Sequence, residues 1–104
     1  MKLFLDDTRA FPGGFDLYCR DTATAKVFLK TMEINYASLD YNLCATCEES
    51  GLDLLKWMAE NANSIHVPEC INVHSDNVFG KDDMIDFAKA HFQNTKVSHI
   101  TLKK

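Results

Sequence analysis

The sequence predicts an α/β domain with a mostly parallel sheet that helices cover on both faces. Two observations carry this prediction: short apolar segments alternate with amphipathic helical stretches, and several apolar segments end abruptly at a polar residue. The predicted order is strand, strand, helix, strand, helix, strand, helix, strand. Strands that alternate with helices form right-handed βαβ units, which make neighbouring strands parallel. The 104 residues correspond to one domain, 1–104.

The first two strands come close together in the sequence. Residues 2–5 form an apolar run that stops at Asp6 and Asp7, and residues 15–19 alternate between the two faces of a strand. The segment between them, 8–14, is shorter than the dozen or more residues of an ordinary parallel crossover. An extended loop can still span a short strand, so parallel and antiparallel pairing are both open.

The remaining elements follow from periodicity and from capping residues. A helical stripe at 25–32 predicts a first helix, with Asp21 or Thr22 as its N-cap. Ser50 and Asp53 have the spacing of a capping box and predict the start of a second helix. The second helix is expected to bury Leu52, Leu55, Ala59 and Ala62, with Leu54, Trp57 and Met58 widening that face. The third helix is expected to start at Gly80, and the later strands at residues 36–39, 70–73 and 97–102.

Composition excludes several classes of protein. The chain has 11 Lys and Arg against 15 Asp and Glu, a net charge of −4, which argues against a protein that binds duplex DNA through its phosphates. No apolar run reaches the roughly 18–20 residues that cross a bilayer. Asp6 and Asp7 interrupt any signal-peptide core. We therefore expect a cytoplasmic domain with reduced cysteines and no membrane partner.

Polar residues follow three of the predicted strands. Asp6 and Asp7 end the first strand, Asp40 ends the third, and His74 with Ser75 ends the fourth. The carboxyl ends of parallel strands meet at one edge of the sheet, where α/β proteins bind ligands. Three carboxylates that converge there repel one another unless a cation lies between them, and their oxygens suit Mg²⁺ or another divalent cation such as Mn²⁺.

The same edge offers groups for phosphate chemistry. His74 can transfer protons near neutral pH, while Arg9, Ser75 and Asn77 can donate hydrogen bonds to phosphoryl oxygens. The alternative is that the aspartates merely end strands as turn formers and that His74 is a structural histidine.

Four segments in order resemble the cyclic-phosphate processing receiver-like domain family. They read LDDTR at 5–9, SLD at 38–40, GLDLLKW at 51–57 and HSDN at 74–77. The resemblance implies a flavodoxin-like receiver fold with strand order 2-1-3-4-5 and a first helix reduced to a loop, which would account for the short first connection. It spans nearly the whole chain.

The resemblance also implies roles for individual residues. Asp6, Asp7 and Asp40 would hold Mg²⁺, Asp40 being the phosphate acceptor in receivers, and Ser75 would contact the phosphoryl group, with Lys103 as a weaker candidate. Members of the family are thought to act on cyclic phosphates of nucleotides or RNA ends, with histidines as acid and base.

The chain departs from the family pattern directly after the third strand. Where the family has Asp-His-Asp, this sequence reads Asp40-Tyr41-Asn42, so that it keeps one carboxylate and lacks an imidazole and a second carboxylate. Opening a cyclic phosphate needs a base and an acid, and His74 is the remaining candidate beside Asp40. A metal-bound water could replace the missing partner.

Three functions are consistent with these residues. The first is a metal-dependent phosphoesterase acting on a 2′,3′-cyclic phosphate of a small molecule or an RNA end. The second is a signalling receiver that accepts phosphate on Asp40. The third is a catalytically silent interaction module, which would bind a protein partner.

Two further features border the same edge. Cys44 and Cys47 have the C-x-x-C spacing of a zinc or redox site, although no second ligand pair follows, and an inert loop pair is the simpler interpretation. Phe11 and Tyr41 lie in loops and could stack on a base or cover the edge of the core.

Overall fold

The computed structural model describes residues 1–6, 11, 13–41, 50–75 and 78–100. Within these residues the element order agrees with the sequence prediction. The elements are β1 (Lys2–Leu5), β2 (Leu17–Cys19), α1 (Thr22–Thr31), β3 (Tyr36–Leu39), α2 (Gly51–Glu60), β4 (Cys70–His74), α3 (Val78–His91) and β5 (Lys96–Ile100).

The strands form one parallel sheet in the order β2-β1-β3-β4-β5. β1 pairs with β2 in parallel, Leu3 lying opposite Leu17, and with β3 on its other side, where Leu5 lies opposite Leu39. This decides the open question about the first connection, because the two strands are parallel neighbours. The predicted α/β receiver-like fold is confirmed.

The three described helices pack against one face of the sheet. The crossovers that contain α1, α2 and α3 all advance across the sheet in the same direction, so right-handed connections place all three on the same side. The step from β1 to β2 runs in the opposite direction, and its described residues contain no helix. In the described part of the chain all helices therefore lie on one face, whereas the sequence prediction placed helices on both, and the short first connection is the one that traverses the sheet in the other direction.

The hydrophobic core lies between this face and the helices. Each strand contributes alternate residues to the core, because successive side chains of a strand point to opposite faces. The side chains on the core face are fully or almost fully buried. These strand residues are Leu3, Leu5, Cys19, Ala37, Leu39, Ile71 and Val73. The helices and the segments that follow them contribute Ala25, Leu29, Ile34, Leu54, Leu55, Met58, Met84, Ala88 and Phe92.

The opposite face is covered in part by aromatic side chains. Phe4 of β1 is only 2% exposed. Its ring meets the ring of Phe15 edge-on, with centroids 5.1 Å apart, and that of Phe11 at 6.1 Å. Phe11 and Phe15, which lie between β1 and β2 in the chain, thus supply apolar cover on this face.

Two predicted helix starts are confirmed. Asp21 caps α1 by accepting a hydrogen bond from the backbone N–H of Thr24, at 2.7 Å. Ser50 and Asp53 form the capping box of α2, each side chain accepting from the other residue's backbone N–H.

Several boundaries differ from the prediction. α2 ends at Glu60, so Ala62 lies beyond it and is exposed, and the buried face is centred on Leu54, Leu55 and Met58 instead. α3 starts at Val78 rather than Gly80, and β4 extends through His74. β5 begins at Lys96, while the predicted strand residues 101 and 102 lie outside the described part of the chain. None of the helices in the described residues has the length and apolarity needed to cross a membrane.

Candidate functional site

The sheet brings Asp6, Asp40 and His74 to one edge. The backbone N–H of Asp6 donates to the carbonyl of Cys19 at the end of β2, at 3.2 Å. The N–H of Asp40 donates to the carbonyl of Leu5 at the end of β1, at 3.1 Å. Because all strands are parallel, the residue that ends β4, His74, lies at this edge too. We call the four residues Asp6, Asp40, His74 and Ser75 the rim.

The rim residues are buried, although all four are polar or charged. Asp6 and His74 are inaccessible to solvent, Ser75 is 3% exposed and Asp40 is 8% exposed. Burying a carboxylate is costly unless it is hydrogen-bonded or paired with a positive charge. Burial of these polar residues therefore lowers the stability of the fold, which indicates that the rim has a role other than packing.

Asp6 and His74 are joined directly. Nε2 of His74 lies 3.1 Å from Oδ2 of Asp6. Phe4 stacks flat on the imidazole, with centroids 4.5 Å apart and an interplanar angle of 4°. The ring of His74 is thus held by a hydrogen bond at its edge and by an aromatic face.

The other ring nitrogen of His74 faces into the sheet. Nδ1 lies 2.6 Å from Oγ of Ser38, in the neighbouring strand β3. Ser38 Oγ also accepts a hydrogen bond from the amide of Asn72, at 3.1 Å, and Asn72 in turn accepts one from the hydroxyl of Ser98, at 3.0 Å. A row of polar side chains therefore crosses three strands behind the rim.

Asp40 is fixed by a close approach of α2. The first residue of α2, Gly51, donates its N–H to the carbonyl of Tyr41, at 2.9 Å. A Cβ at Gly51 would collide with the carbonyl oxygen of Asp40 and would lie 2.7 Å from Cε of Met84. Only glycine fits here, and it lets the capped start of α2 press against the strand end that holds the carboxylate.

Tyr41 packs against the start of α3. A Cβ at Gly80 would overlap the ring of Tyr41, which is partly buried against the core. Tyr41, which stands where the resemblance implies a histidine, is therefore used for packing, in agreement with the interpretation that it covers the edge of the core.

Arg20 is a residue at this edge that the sequence analysis missed. It follows β2, and its Nη1 donates to the backbone carbonyl of Asp6, at 3.3 Å. Its guanidinium lies over the ring of Phe11, 4.0 Å from the centroid. The two contacts pin an exposed cation next to the rim. An arginine directly after a strand that ends at the sheet edge was the available signal.

Several predicted site residues lie outside the described part of the chain. Among the described residues no group of three or more His, Cys, Asp or Glu could hold a metal ion. The predicted ligand set includes one residue that is not described, so the set remains a prediction. The residues outside are Asp7, Arg9, Asn77 and Lys103, together with Cys44 and Cys47.

The described cysteines lie in strands, as predicted. Cys19 is buried in β2, and burial raises the pKa of its thiol to about 12, with Asp21 adding to the effect. Cys70 lies in β4 and is partly exposed. A thiol with so high a pKa as that of Cys19 stays protonated and unreactive at neutral pH.

A family model for the cyclic-phosphate processing receiver domain matches residues 1–90. The chain belongs to this family. The match includes β1 through most of α3, and hence every residue of the rim. Searches of curated proteins and of solved structures found no match to the chain.

The chemistry of the rim follows from its donor types. Asp6 and Asp40 come directly after the paired residues Leu5 and Leu39, so two carboxylates leave neighbouring strands at the same level. Carboxylate oxygens are ligands for hard divalent cations such as Mg²⁺. Asp6 and Asp40 are thus of the donor type that such a cation binds, and the neighbouring Ser75 and Arg20 are hydrogen-bond donors of the type that binds anions.

Proposed function

We propose that this chain is a divalent-cation-dependent, phosphate-binding receiver-like domain that processes 2′,3′-cyclic phosphate ends of nucleotides or RNA. Membership of the cyclic-phosphate processing family supports the class of substrate. The observation that carries the proposal is the burial of two carboxylates, those of Asp6 and Asp40, at the carboxyl ends of adjacent strands.

In this proposal Asp6, Asp7 and Asp40 hold Mg²⁺ or Mn²⁺. The cation, when bound, offsets the repulsion between the carboxylates and the negative charge of a phosphate. Asp6 and Asp40 are the two described members of this ligand set. Asp40 is the more exposed of them, at 8%, whereas Asp6 is inaccessible to solvent. It is therefore the residue best placed to contact a ligand.

The phosphate contacts come from donors around the rim. Ser75 directly follows His74 and lies at the edge where the strands end. Arg20 presents a guanidinium on the side of β2, stacked on Phe11. With Arg9 and Asn77 from the sequence motifs, these groups would bind phosphoryl oxygens through charge-assisted hydrogen bonds.

The position of His74 limits how it acts. Both ring nitrogens have partners inside the protein, Ser38 and Asp6, and the side chain is inaccessible to solvent. We assign it to holding Asp6 rather than to exchanging a proton with substrate in this arrangement. Tyr41, at the position of the family's histidine, packs on Gly80.

These two observations favour a second candidate function, binding of a cyclic phosphate without rapid turnover. The distinction depends on whether a water activated at the cation can replace the acid and base of the family pattern. A phospho-accepting receiver stays an alternative, in which Asp40 is the acceptor.

One experiment separates these functions. The protein is mixed with 2′,3′-cyclic AMP and Mg²⁺. Calorimetry measures binding, and phosphorus NMR detects opening of the cyclic phosphate. Release of a nucleoside monophosphate that Asp40→Asn abolishes supports the phosphoesterase. Mg²⁺-dependent binding without product supports the second candidate. Absence of binding, together with Mg²⁺-dependent binding of beryllofluoride, would replace both with the signalling receiver.

A further inference from the structure

We call Ser98, Asn72, Ser38 and His74 the polar row. The donor and acceptor in each of its hydrogen bonds follow from the groups at its two ends. A carboxylate only accepts hydrogen bonds, so Nε2 of His74 carries the proton in its contact with Asp6. At the other end, the hydroxyl of Ser98 donates to the amide oxygen of Asn72, which leaves the NH₂ group of Asn72 to donate to Ser38. At both ends of the row, the donor therefore lies on the Ser98 side of the hydrogen bond and the acceptor on the Asp6 side.

The middle of the row then has one consistent arrangement. In the described part of the chain, Oγ of Ser38 has two side-chain partners, the NH₂ group of Asn72 and Nδ1 of His74. The buried hydroxyl proton of Ser38 needs an acceptor, and of these two partners only Nδ1 can accept, because the NH₂ group only donates. Nδ1 is then the unprotonated nitrogen of a neutral imidazole. The row therefore selects the Nε2–H tautomer of His74.

Burial makes this selection energetically important. Ser38 and Asn72 are each 2% exposed, and His74 is inaccessible, so water cannot replace a lost partner. Their strands are central, where side chains on both faces are normally apolar. Two polar residues in the middle of buried strands need a reason, and the orientation of His74 supplies one.

We propose that Ser38 and Asn72 are positioning residues for Asp6, which act through His74. They hold the imidazole in the tautomer that donates to Oδ2 of Asp6, and Phe4 keeps the ring from tilting. The carboxylate is thereby fixed in one orientation before any ligand binds. Its consequence for cation affinity rests on the function proposed above, whereas the tautomer itself does not.

The test uses long-range nitrogen–proton NMR of the imidazole, with the His74 signals identified by their loss in His74→Gln. The wild-type protein is expected to carry one ring proton, on Nε2, and an Nδ1 resonance shielded by the Ser38 hydroxyl. In Ser38→Ala that resonance moves downfield, because the hydrogen bond to Nδ1 is gone. Ser38→Thr, which keeps a hydroxyl, restores the wild-type position.

Ser98→Ala is the matched control. It makes the same chemical change at the exposed end of the row, three hydrogen bonds away from His74, and is expected to leave the Nδ1 resonance in place. A wild-type spectrum with the proton on Nδ1, or on both nitrogens, overturns the proposal even if no variant folds. An Nδ1 resonance unchanged in folded Ser38→Ala overturns it too.

Titration with Mg²⁺ supplies the second measurement. Loss of an outer hydrogen-bonding partner of a metal ligand typically lowers affinity by about 10–100-fold. We expect Ser38→Ala to weaken Mg²⁺ binding within that range and Ser98→Ala to leave it unchanged. If the wild-type protein binds no Mg²⁺, the proposed function fails while the NMR result still decides the tautomer. Equal Mg²⁺ affinity in Ser38→Ala and wild type shows that the row does not position Asp6.

Discussion

Gly51 at the start of α2 lies directly against the backbone carbonyl of Asp40, with no room for a side chain between them. The neighbouring hydrogen bond, from the N–H of Gly51 to the carbonyl of Tyr41, draws the helix and the strand end together. The position of the carboxylate that we place at the centre of the site thus depends on a residue that has no side chain.

Gly51→Ala is therefore expected to destabilise the protein and to displace Asp40. The new Cβ meets a backbone atom, which cannot move as a flexible side chain can, so overpacking should cost about 1–3 kcal/mol. Chemical denaturation measures the change. The matched control is Gly13→Ala, whose Cβ meets nothing within 4 Å. Equal stability of the two variants would show that α2 does not press on Asp40 as described.

The contact between Tyr41 and Gly80 predicts that the effect of Gly80→Ala on the free energy of unfolding changes sign when Tyr41 is removed. In the wild-type background Gly80→Ala should destabilise, because its Cβ overlaps the Tyr41 ring. In a Tyr41→Ala background the same substitution should stabilise by up to about 1 kcal/mol, because alanine is the better helix former. Unfolding free energies of the four proteins test this. The same effect of Gly80→Ala in both backgrounds would contradict the packing of Tyr41 on α3.

Arg20 predicts a loss of phosphate affinity. Removing a charged hydrogen-bond donor typically costs about 1.5–3 kcal/mol, so Arg20→Ala should weaken binding of 2′,3′-cyclic AMP by roughly 10–100-fold in calorimetry. Lys89→Ala removes the same charge in the last turn of α3, away from the end of that helix nearest the rim, and should have no effect. Similar losses in both variants would indicate a general charge effect, not a contact made by Arg20.

The N-cap of α1 predicts a dependence of stability on pH. The hydrogen bonds from Thr24 hold the pKa of Asp21 below its ordinary value of 3.8. A lowered folded-state pKa contributes stability above the ordinary value, and this contribution is lost as the pH falls through the folded-state value. Asp21→Ala should cost about 1 kcal/mol at neutral pH, and the difference from wild type should shrink in acid.

Asp21→Asn is the control for the charge at this cap. Asparagine accepts the same backbone hydrogen bond without titrating, so its stability relative to Asp21→Ala should not shrink in the same way. Denaturation midpoints of the three proteins between neutral and acidic pH give the comparison. A constant gap between wild type and Asp21→Ala would contradict the lowered pKa.

The sequence predicted the fold because its signals are local. The Ser50–Asp53 capping box and the helical stripe at 25–32 depend on neighbours in the chain. The coverage of the second face could not be read in this way, because it depends on the direction in which each crossover traverses the sheet. Ala62 was misplaced because α2 ends at Glu60, where the backbone N–H and the side-chain amide of Asn61 donate to carbonyls of the last turn.

The rim was predictable as a group, and its supporting residues were not. Asp6, Asp40, His74 and Ser75 stand at strand ends, which periodicity locates. Ser38 and Asn72 were assigned to strands without any function, although a polar residue in a central strand is itself a signal. Their pairing across β3 and β4 depends on register, which a single sequence does not reveal.

The proposed function requires that carboxylates from different strands share one cation at the rim. The decisive measurement is the position of Mn²⁺ in crystals grown with Mn²⁺ and inorganic phosphate, where anomalous scattering locates the ion. We predict one Mn²⁺ coordinated by Asp6 and Asp40 together, with phosphate beside it. A structure in which Mn²⁺ binds elsewhere, or contacts neither carboxylate at saturating concentration, would contradict it.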